Sequence, residues 1–192
     1  MSNSQVGTYK FEAFPFHLDV RGKLSMGVLG KHLLNCADAY AAERGFDVVE
    51  QGGEHYTWVL SRLAIELEDL PSCHESFSIQ TWVENVYRLF ADRNFVICNK
   101  DEKPIGYVRS VWAMISMETR NPANLLDLHG DRITNSICEK ECPIAKPGRI
   151  KVSQQEAVSE YVAKYSDLDI NGHVNSIKYI EHILDIFPLD IY

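Results

Sequence analysis

The chain has 192 residues, 45% of them apolar, enough to bury the core of one large domain or two small ones. Its 24% of charged residues exclude a disordered tail, and a net charge of −8 argues against a general nucleic-acid binder, because phosphate neutralisation needs clustered Lys and Arg. No apolar run approaches the ~20 residues of a membrane span. The N-terminal MSNSQVGTYKFEAF lacks the basic start and apolar stretch of a signal peptide, and the five cysteines then point to reduced thiols in the cytoplasm.

Residues 24–44 are predicted to form a helix. Ser25 can cap it, Leu29, Leu33, Cys36, Ala37 and Tyr40 share one face, and Gly45 can end it. Gly52 and Gly53 mark a turn. Strand signals follow. Leu63, Ile65 and Leu67 alternate with polar neighbours up to Pro71, and Phe77, Ile79, Thr81 and Val83 alternate with Ser76, Ser78, Gln80 and Trp82. A short apolar run spans 95–99, a polar turn spans 100–104, and a long apolar strand spans 107–117. Contiguous strands with short turns should pair antiparallel, and one long helix against them makes an α+β layer. Arg88, Arg93 and Arg109 are expected on solvated strand faces. Residues 119–142 show only a short helix around 122–128. The stretch AKPGRIK (145–151) has the composition of a linker. Alternation over 158–165 predicts another strand, a polar turn ends in Asn171-Gly172, and a second helix runs over about 174–187. Its Ile177, Ile180, Ile183, Leu184 and Phe187 lie within about 120° on a helical wheel, opposite Lys178, Glu181, His182 and Asp185.

The two helix starts look alike. Displaced by 150 residues, LDVRGKLSMGVLGKHLL (18–34) lies over LDINGHVNSIKYIEHIL (168–184) with five identities in 17 positions and no gap. Turn and helix signals fall in register, which favours a duplication over chance. Where the first copy has Arg21 and Lys23, the second has Asn171 and His173.

Asp169-x-Asn171-x-His173 therefore concentrates three polar groups on a turn entering a helix. Unpaired N–H groups and a positive dipole end are features of a helix start, and together they can polarise a carbonyl. An imidazole is suited to accept a proton from water, an amide can orient water or a carbonyl, and a carboxylate can fix a neighbour by hydrogen bonding. The same residues are also ordinary turn and cap chemistry, with Asn175 able to cap alone. No metal is implied. His173 and His182 stand on opposite sides of the helix, and Cys138-x-x-x-Cys142 lacks the second pair that a structural zinc needs. Trp58, Trp82 and Trp112 read as packing residues on strands.

The segment KYSDLDINGHVNSIKYIEHILD resembles the signature of the fatty acyl–acyl carrier protein thioesterases of plants and bacteria. YTWVLSRLAIELEDLP, FSIQTWVENVYRLFADRNFVI and GYVRSVWAMISMETR resemble the first half of the same family, so the likeness runs along nearly the whole chain. The resemblance implies two hotdog folds in tandem, each a long helix wrapped by an antiparallel sheet. Residues 1–144 would form the first, acyl-binding domain, 145–152 a linker, and 153–192 the start of the second with the catalytic turn. The implied activity is hydrolysis of a fatty acyl thioester on acyl carrier protein, without a cofactor, releasing free fatty acid and ending chain elongation. In that scheme His173 helps activate water, Asn171 positions water or the thioester, and Asp169 supports them. Trp58, Leu60 and the strand from Arg62 to Leu67 would line the acyl pocket.

The family carries a further catalytic acidic or cysteine residue on a strand beyond the second helix. This chain ends at Tyr192, so no residue here takes that role and the second hotdog is expected to be truncated, exposing the apolar face over 177–187 unless the first domain or a partner covers it. Competing readings are an acyl-CoA thioesterase or hydroxyacyl dehydratase of the same fold, and a non-catalytic acyl- or carrier-binding module. Because acyl carrier protein is acidic, docking needs a local basic patch. Lys146, Arg149 and Lys151 form one candidate, against the alternative of a solvated linker. Assembly, homodimer included, and chain-length preference are left open.

Overall fold

The computed structural model describes residues 4–150, 159–170 and 172–191. The chain opens with β1 (Gly7–Glu12), whose Tyr9 and Phe11 face inward, a strand that is not among the expected ones. Helix α1 (Met26–Glu43) follows. The Ser25 hydroxyl accepts the Val28 N–H at 3.3 Å, and Gly45 at φ +70° turns the chain out of the helix. Its expected inner face, Leu29, Leu33, Cys36, Ala37 and Tyr40, is buried.

Then come β2 (Val49–Gln51), β3 (Glu54–Leu67), β4 (Ser76–Val86), β5 (Ala91–Cys98) and β6 (Pro104–Ser116). They form one antiparallel sheet in the order β1-β4-β5-β6-β3-β2, with α1 packed on its inner face. This is the hotdog arrangement. One core cluster joins the first half of α1 to Phe77, Ile79, Phe95, Ile97 and Val108. A second joins Tyr40, Phe46, Val83 and Met114 to Leu125 on α2 (Leu125–His129) and Ile133 on α3 (Asp131–Thr134). On the outer face, Trp82, Val96 and Cys98 are covered by Cys142 and Ile144.

Two bulges set which way side chains point. In β3 the register slips between Leu60, opposite Trp112, and Arg62, opposite Val111. Side chains alternate faces along a strand, so this slip sends Leu60 inward and Arg62 to the outer face. A second slip between Val83 and Asn85 does the same in β4.

Two expectations need correction. Residues 159–164 form no strand, and Tyr165–Asp167 is a single 3₁₀ turn. A strand needs neighbouring N–H and C=O groups, and no described strand lies beside this segment. Helix α4 (Ser176–Leu184) begins two residues late, because the Asn175 side chain caps it by accepting the Ile177 N–H at 2.9 Å.

The packing of α4 also differs from its helical wheel. Gly27 and Gly30 of α1 let the two helices approach closely. Ile177 fills the space over Gly30 and is 1% exposed, and Glu181, from the nominally polar face, covers Gly27. Ile183 and Phe187 remain exposed at 56% and 47%. The first domain therefore covers only the start of the apolar stripe.

Candidate active site

The two turns match bond for bond. Asp19 N–H donates to the Lys23 carbonyl at 2.7 Å, and Asp169 N–H to the His173 carbonyl at 2.8 Å. Gly22 and Gly172 both donate to the preceding Asp carbonyl at 3.0 Å, and both stand at φ +72°, where glycine alone is unstrained. Leu18 bridges Leu24 as Leu168 bridges Val174. The 150-residue offset is thus a repeat of backbone geometry as well as of sequence.

What the copies present differs. In the first, the Asp19 carboxylate takes the Arg21 guanidinium at 2.7 Å, and Lys23 pairs with Asp69 at 2.8 Å. In the second, Asp169 accepts the His173 N–H at 3.0 Å, which fixes the turn carrying the imidazole. Asn171 lies outside the described residues. Near the end of α4, His182 donates Nε2–H to the buried Asp167 carboxylate at 3.1 Å and packs its ring, tilted by 31°, against Tyr161 at 3.8 Å, which anchors this unit.

Asp169 and His173 open onto a cavity of about 490 Å³. Its walls come from α1 (Leu34, Ala37, Ala41), from the inner sheet face (Trp58, Leu60, Val83, Ala91) and from Phe46 and Ile133. The sequence-predicted catalytic turn and two of the three predicted pocket residues thus share one cavity. Trp58 is held by donating Nε1–H to the Phe46 carbonyl at 2.9 Å and by stacking on His129 at 5.8 Å and 7°. Burial brings the His129 pKa down to about 4, so this imidazole is neutral. Arg62, turned by the bulge, lines a separate outer cavity with Glu84, Asp92 and Arg109.

Four residues of the site and its surroundings are not anticipated in the sequence reading. Arg120, after β6, places Nη1 2.9 Å from His173 Nε2. A guanidinium cannot accept a hydrogen bond, so Nε2 is the acceptor and the ring proton sits on Nδ1. Arg120 holds φ +61°, an uncommon conformation for a side-chain-bearing residue. Arg93 is buried on the cavity wall rather than solvated, and Arg109 is also largely covered, donating to the Cys142 carbonyl at 2.7 Å. The phase of β5 could have revealed Arg93, since it shares its face with Phe95 and Ile97. Tyr179 closes one side of the mouth.

Of the docking candidates, Lys146 is bound to Glu84 at 3.0 Å and Asp92 at 3.1 Å, Arg149 is exposed, and Lys151 lies outside the described residues. Among the described residues no cluster of His, Cys, Asp and Glu could hold a metal, and no helix is long and apolar enough to cross a membrane.

Residues 5–130 match the family model "Acyl-ACP thioesterase N-terminal domain", and residues 150–192 match "Acyl-ACP thioesterase C-terminal domain". The chain belongs to the acyl-ACP thioesterase family. It is 26% identical to a chloroplastic palmitoyl-acyl carrier protein thioesterase of Gossypium hirsutum over 82% of this chain and 40% of that protein. It is 30% identical to oleoyl-acyl carrier protein thioesterase 2 of Arabidopsis thaliana over 71% of this chain and 40% of that protein. The chain thus spans 40% of the length of these two plant relatives. Among solved structures, an acyl-ACP thioesterase from Bacteroides thetaiotaomicron is 61% identical, with a TM-score of 0.89, over 98% of this chain and 76% of that one. The 12:0-ACP thioesterase of Umbellularia californica, at 17% identity and a TM-score of 0.77, shares the fold.

Proposed function

We propose that the protein hydrolyses the thioester of a fatty acyl chain on acyl carrier protein. The observation that carries this reading is the shared cavity, in which an imidazole whose Nε2 accepts from the Arg120 guanidinium stands at the mouth of an apolar chamber. The chamber takes the acyl chain, with residues 1–144 as the acyl-binding domain, 145–152 as linker and 153–192 opening the second. Water takes the place of Arg120 at His173 Nε2, and His173 removes a proton from that water as its oxygen attacks the thioester carbonyl. The C–S bond then breaks, the acyl group leaves as the free acid and the carrier thiolate takes the proton. Asp169 holds the turn, and Asn171 positions water or the carbonyl. Docking falls to Arg149 and Lys151, with Lys146 engaged by the sheet. Family membership supports the carrier as substrate, and five unpaired cysteines support a reducing, cytoplasmic setting.

The test is thiol release from acyl-carrier and acyl-CoA thioesters by the full-length protein containing this chain. The carrier substrate should be hydrolysed in preference, and His173→Ala should lower kcat by about 10²- to 10⁴-fold, the usual worth of a general base. Unchanged hydrolysis in that variant, or hydrolysis of CoA thioesters alone, would overturn the reading.

A further inference from the structure

Attack on a thioester turns its carbonyl oxygen into an alkoxide, and donors aimed at that oxygen are usually the largest single contribution to the rate. The backbone donors around the imidazole are already taken. His173 N–H goes to the Asp169 carboxylate at 3.0 Å, Asn175 N–H to the Asp167 carbonyl at 2.8 Å, and Ile177 N–H to the Asn175 side chain at 2.9 Å. They hold the turn and the helix start rather than a substrate.

A cation beside the base is not spent in this way. Arg120 Nη1 stands 2.9 Å from His173 Nε2, and among the described residues no carboxylate pairs with it. Glu118, two positions before it, is taken by the His55 ring at 2.9 Å. Arg120 and His173 are both exposed, so water can replace the guanidinium at Nε2 for the loss of one exposed hydrogen bond.

The backbone keeps the guanidinium near when that happens. Arg120 N–H is bound to the Ser116 carbonyl at 2.9 Å, Ser116 N–H to the Asn121 carbonyl at 3.0 Å, and His55 N–H to the Glu118 carboxylate at 3.0 Å. Arg120 sits in this tied turn at φ +61°, where glycine would be unstrained. A side chain is thus kept at a backbone position that favours having none, and such strain gathers where the side chain is used. Moved aside by one water, the guanidinium lies one hydrogen-bond length, roughly 3 Å, from the attacking oxygen. In the tetrahedral intermediate that oxygen and the alkoxide share one carbon, so a group beside the first is within reach of the second. A guanidinium is a permanent cation whose five N–H donors form a fork, which suits it to an oxyanion.

We infer that Arg120 is the electrophile of the reaction: as water enters at His173 Nε2, the guanidinium turns to the thioester carbonyl oxygen and holds it while it becomes an alkoxide. The carbonyl π pair moves onto that oxygen as the bond to water forms, and it returns as the C–S bond breaks and the thiolate leaves. The inference rests on the thioester-hydrolysis reading and adds a catalytic residue to it.

Two measurements on the full-length protein containing this chain test it. The first is kcat and KM for a palmitoyl-carrier thioester. Arg120→Gln should lower kcat by about 10²- to 10³-fold, the usual worth of one oxyanion donor, with KM nearly unchanged. Arg120→Lys should keep part of the activity, and Arg120→Gly, which relieves the backbone, should show the full loss in a protein that melts no lower than the unmodified one. A mere mixture of His173 tautomers costs only the fraction of rings wrongly protonated, a few-fold. The second is competition against a fluorescent fatty acyl probe by a long-chain trifluoromethyl ketone, which adds water to give a tetrahedral alkoxide, and by the matching methyl ketone, which stays trigonal. Arg120→Gln should weaken the fluorinated ketone by a factor close to its loss in kcat and leave the methyl ketone alone. A kcat within about threefold of the unmodified value in Arg120→Gln and Arg120→Gly, or a rise, overturns the inference, and so does a loss of kcat with the fluorinated ketone bound as before. Hydrolysis that survives these variants sinks this inference alone. An Arg120-dependent preference for the fluorinated ketone, in a protein that hydrolyses no carrier thioester, sinks the hydrolytic reading alone.

Discussion

Gly30→Ala should separate the placement of the His173 turn from the stability of the fold. A Cβ at this position would stand 2.6 Å from both Cγ2 and Cδ1 of Ile177, where carbon atoms pack at ~3.5 Å or more, so α4 must retreat by about 1 Å. Ile177 is 1% exposed and cannot rotate away into solvent. The overpacking costs roughly 1–3 kcal/mol, and the gain in helix propensity returns ~1 kcal/mol. The net loss of ~0–2 kcal/mol corresponds to a fall in Tm of no more than about 8 °C for a chain of this size. Activity should suffer far more. The His173 turn leads directly into α4, and a misplacement of ~1 Å at a reacting group costs about 10²-fold.

Gly27→Ala is the internal control. There the new methyl would meet only the Glu181 side chain, its carboxylate and Cγ, a flexible, partly exposed group paired with Lys178 that can swing aside. That variant should keep its activity and gain up to ~1 kcal/mol. Ile177→Val in the Gly30→Ala background removes one of the clashing methyls and should recover part of the loss. The assay is kcat/KM for thiol release from the acyl-carrier thioester, beside a thermal melt. If Gly30→Ala retained activity within threefold of the unmodified protein, the helix contact would not be what places His173.

Arg120→Gly should leave stability unchanged or raise it by ~1 kcal/mol, because glycine relieves the strained φ, while freeing the His173 ring; nitrogen NMR should show the single Nδ1–H tautomer giving way to a mixture, and retention of one tautomer would count against the Arg120 contact. His129 predicts a sensitivity to acid. Its folded pKa of about 4 lies below its unfolded value, so the unfolded state binds the extra proton, and stability is intact above pH 6.5 and falls as pH drops towards 4. Between pH 7.5 and 5 this one group should contribute a loss of about 2 kcal/mol, read as the difference in urea unfolding between the unmodified protein and His129→Leu.

What the sequence disclosed divides by physical range. The Asp-x-x-Gly turns were legible because their bonds are local: Asp19 and Asp169 reach only four residues ahead, and Gly22 and Gly172 announce a positive φ. The face of α1 was legible from its period. The Leu60/Arg62 bulge was not, because one extra residue inverts the phase of a strand without changing its composition, and Arg62 was therefore placed on the wrong side. The contact between Arg120 and His173 spans 53 residues and belongs to no pattern. Alternation in β5 did mark Arg93 as inward. The assumption that arginine stays in water outweighed it. The polar face of α4 misleads for a related reason: Gly27 on α1 leaves room for Glu181 where a larger residue would press against it.

The cavity draws most of its walls, Asp38, Thr57 and Arg93 among them, from residues 34–133 and one side of its mouth from the turn and helix start that carry Asp169, His173 and Tyr179. The two sets are encoded more than thirty positions apart and held together by the glycine-lined contact of α1 with α4 and by the Arg120–His173 hydrogen bond. A substitution at Val83, Ala91 or Ile133 alters what shape is admitted without touching the turn, and a substitution in the turn alters reactivity without reshaping the chamber. Selection can therefore explore new occupants while the reactive end stays constant, a separation of concerns that follows from building one site out of two unequal copies of the same turn and helix.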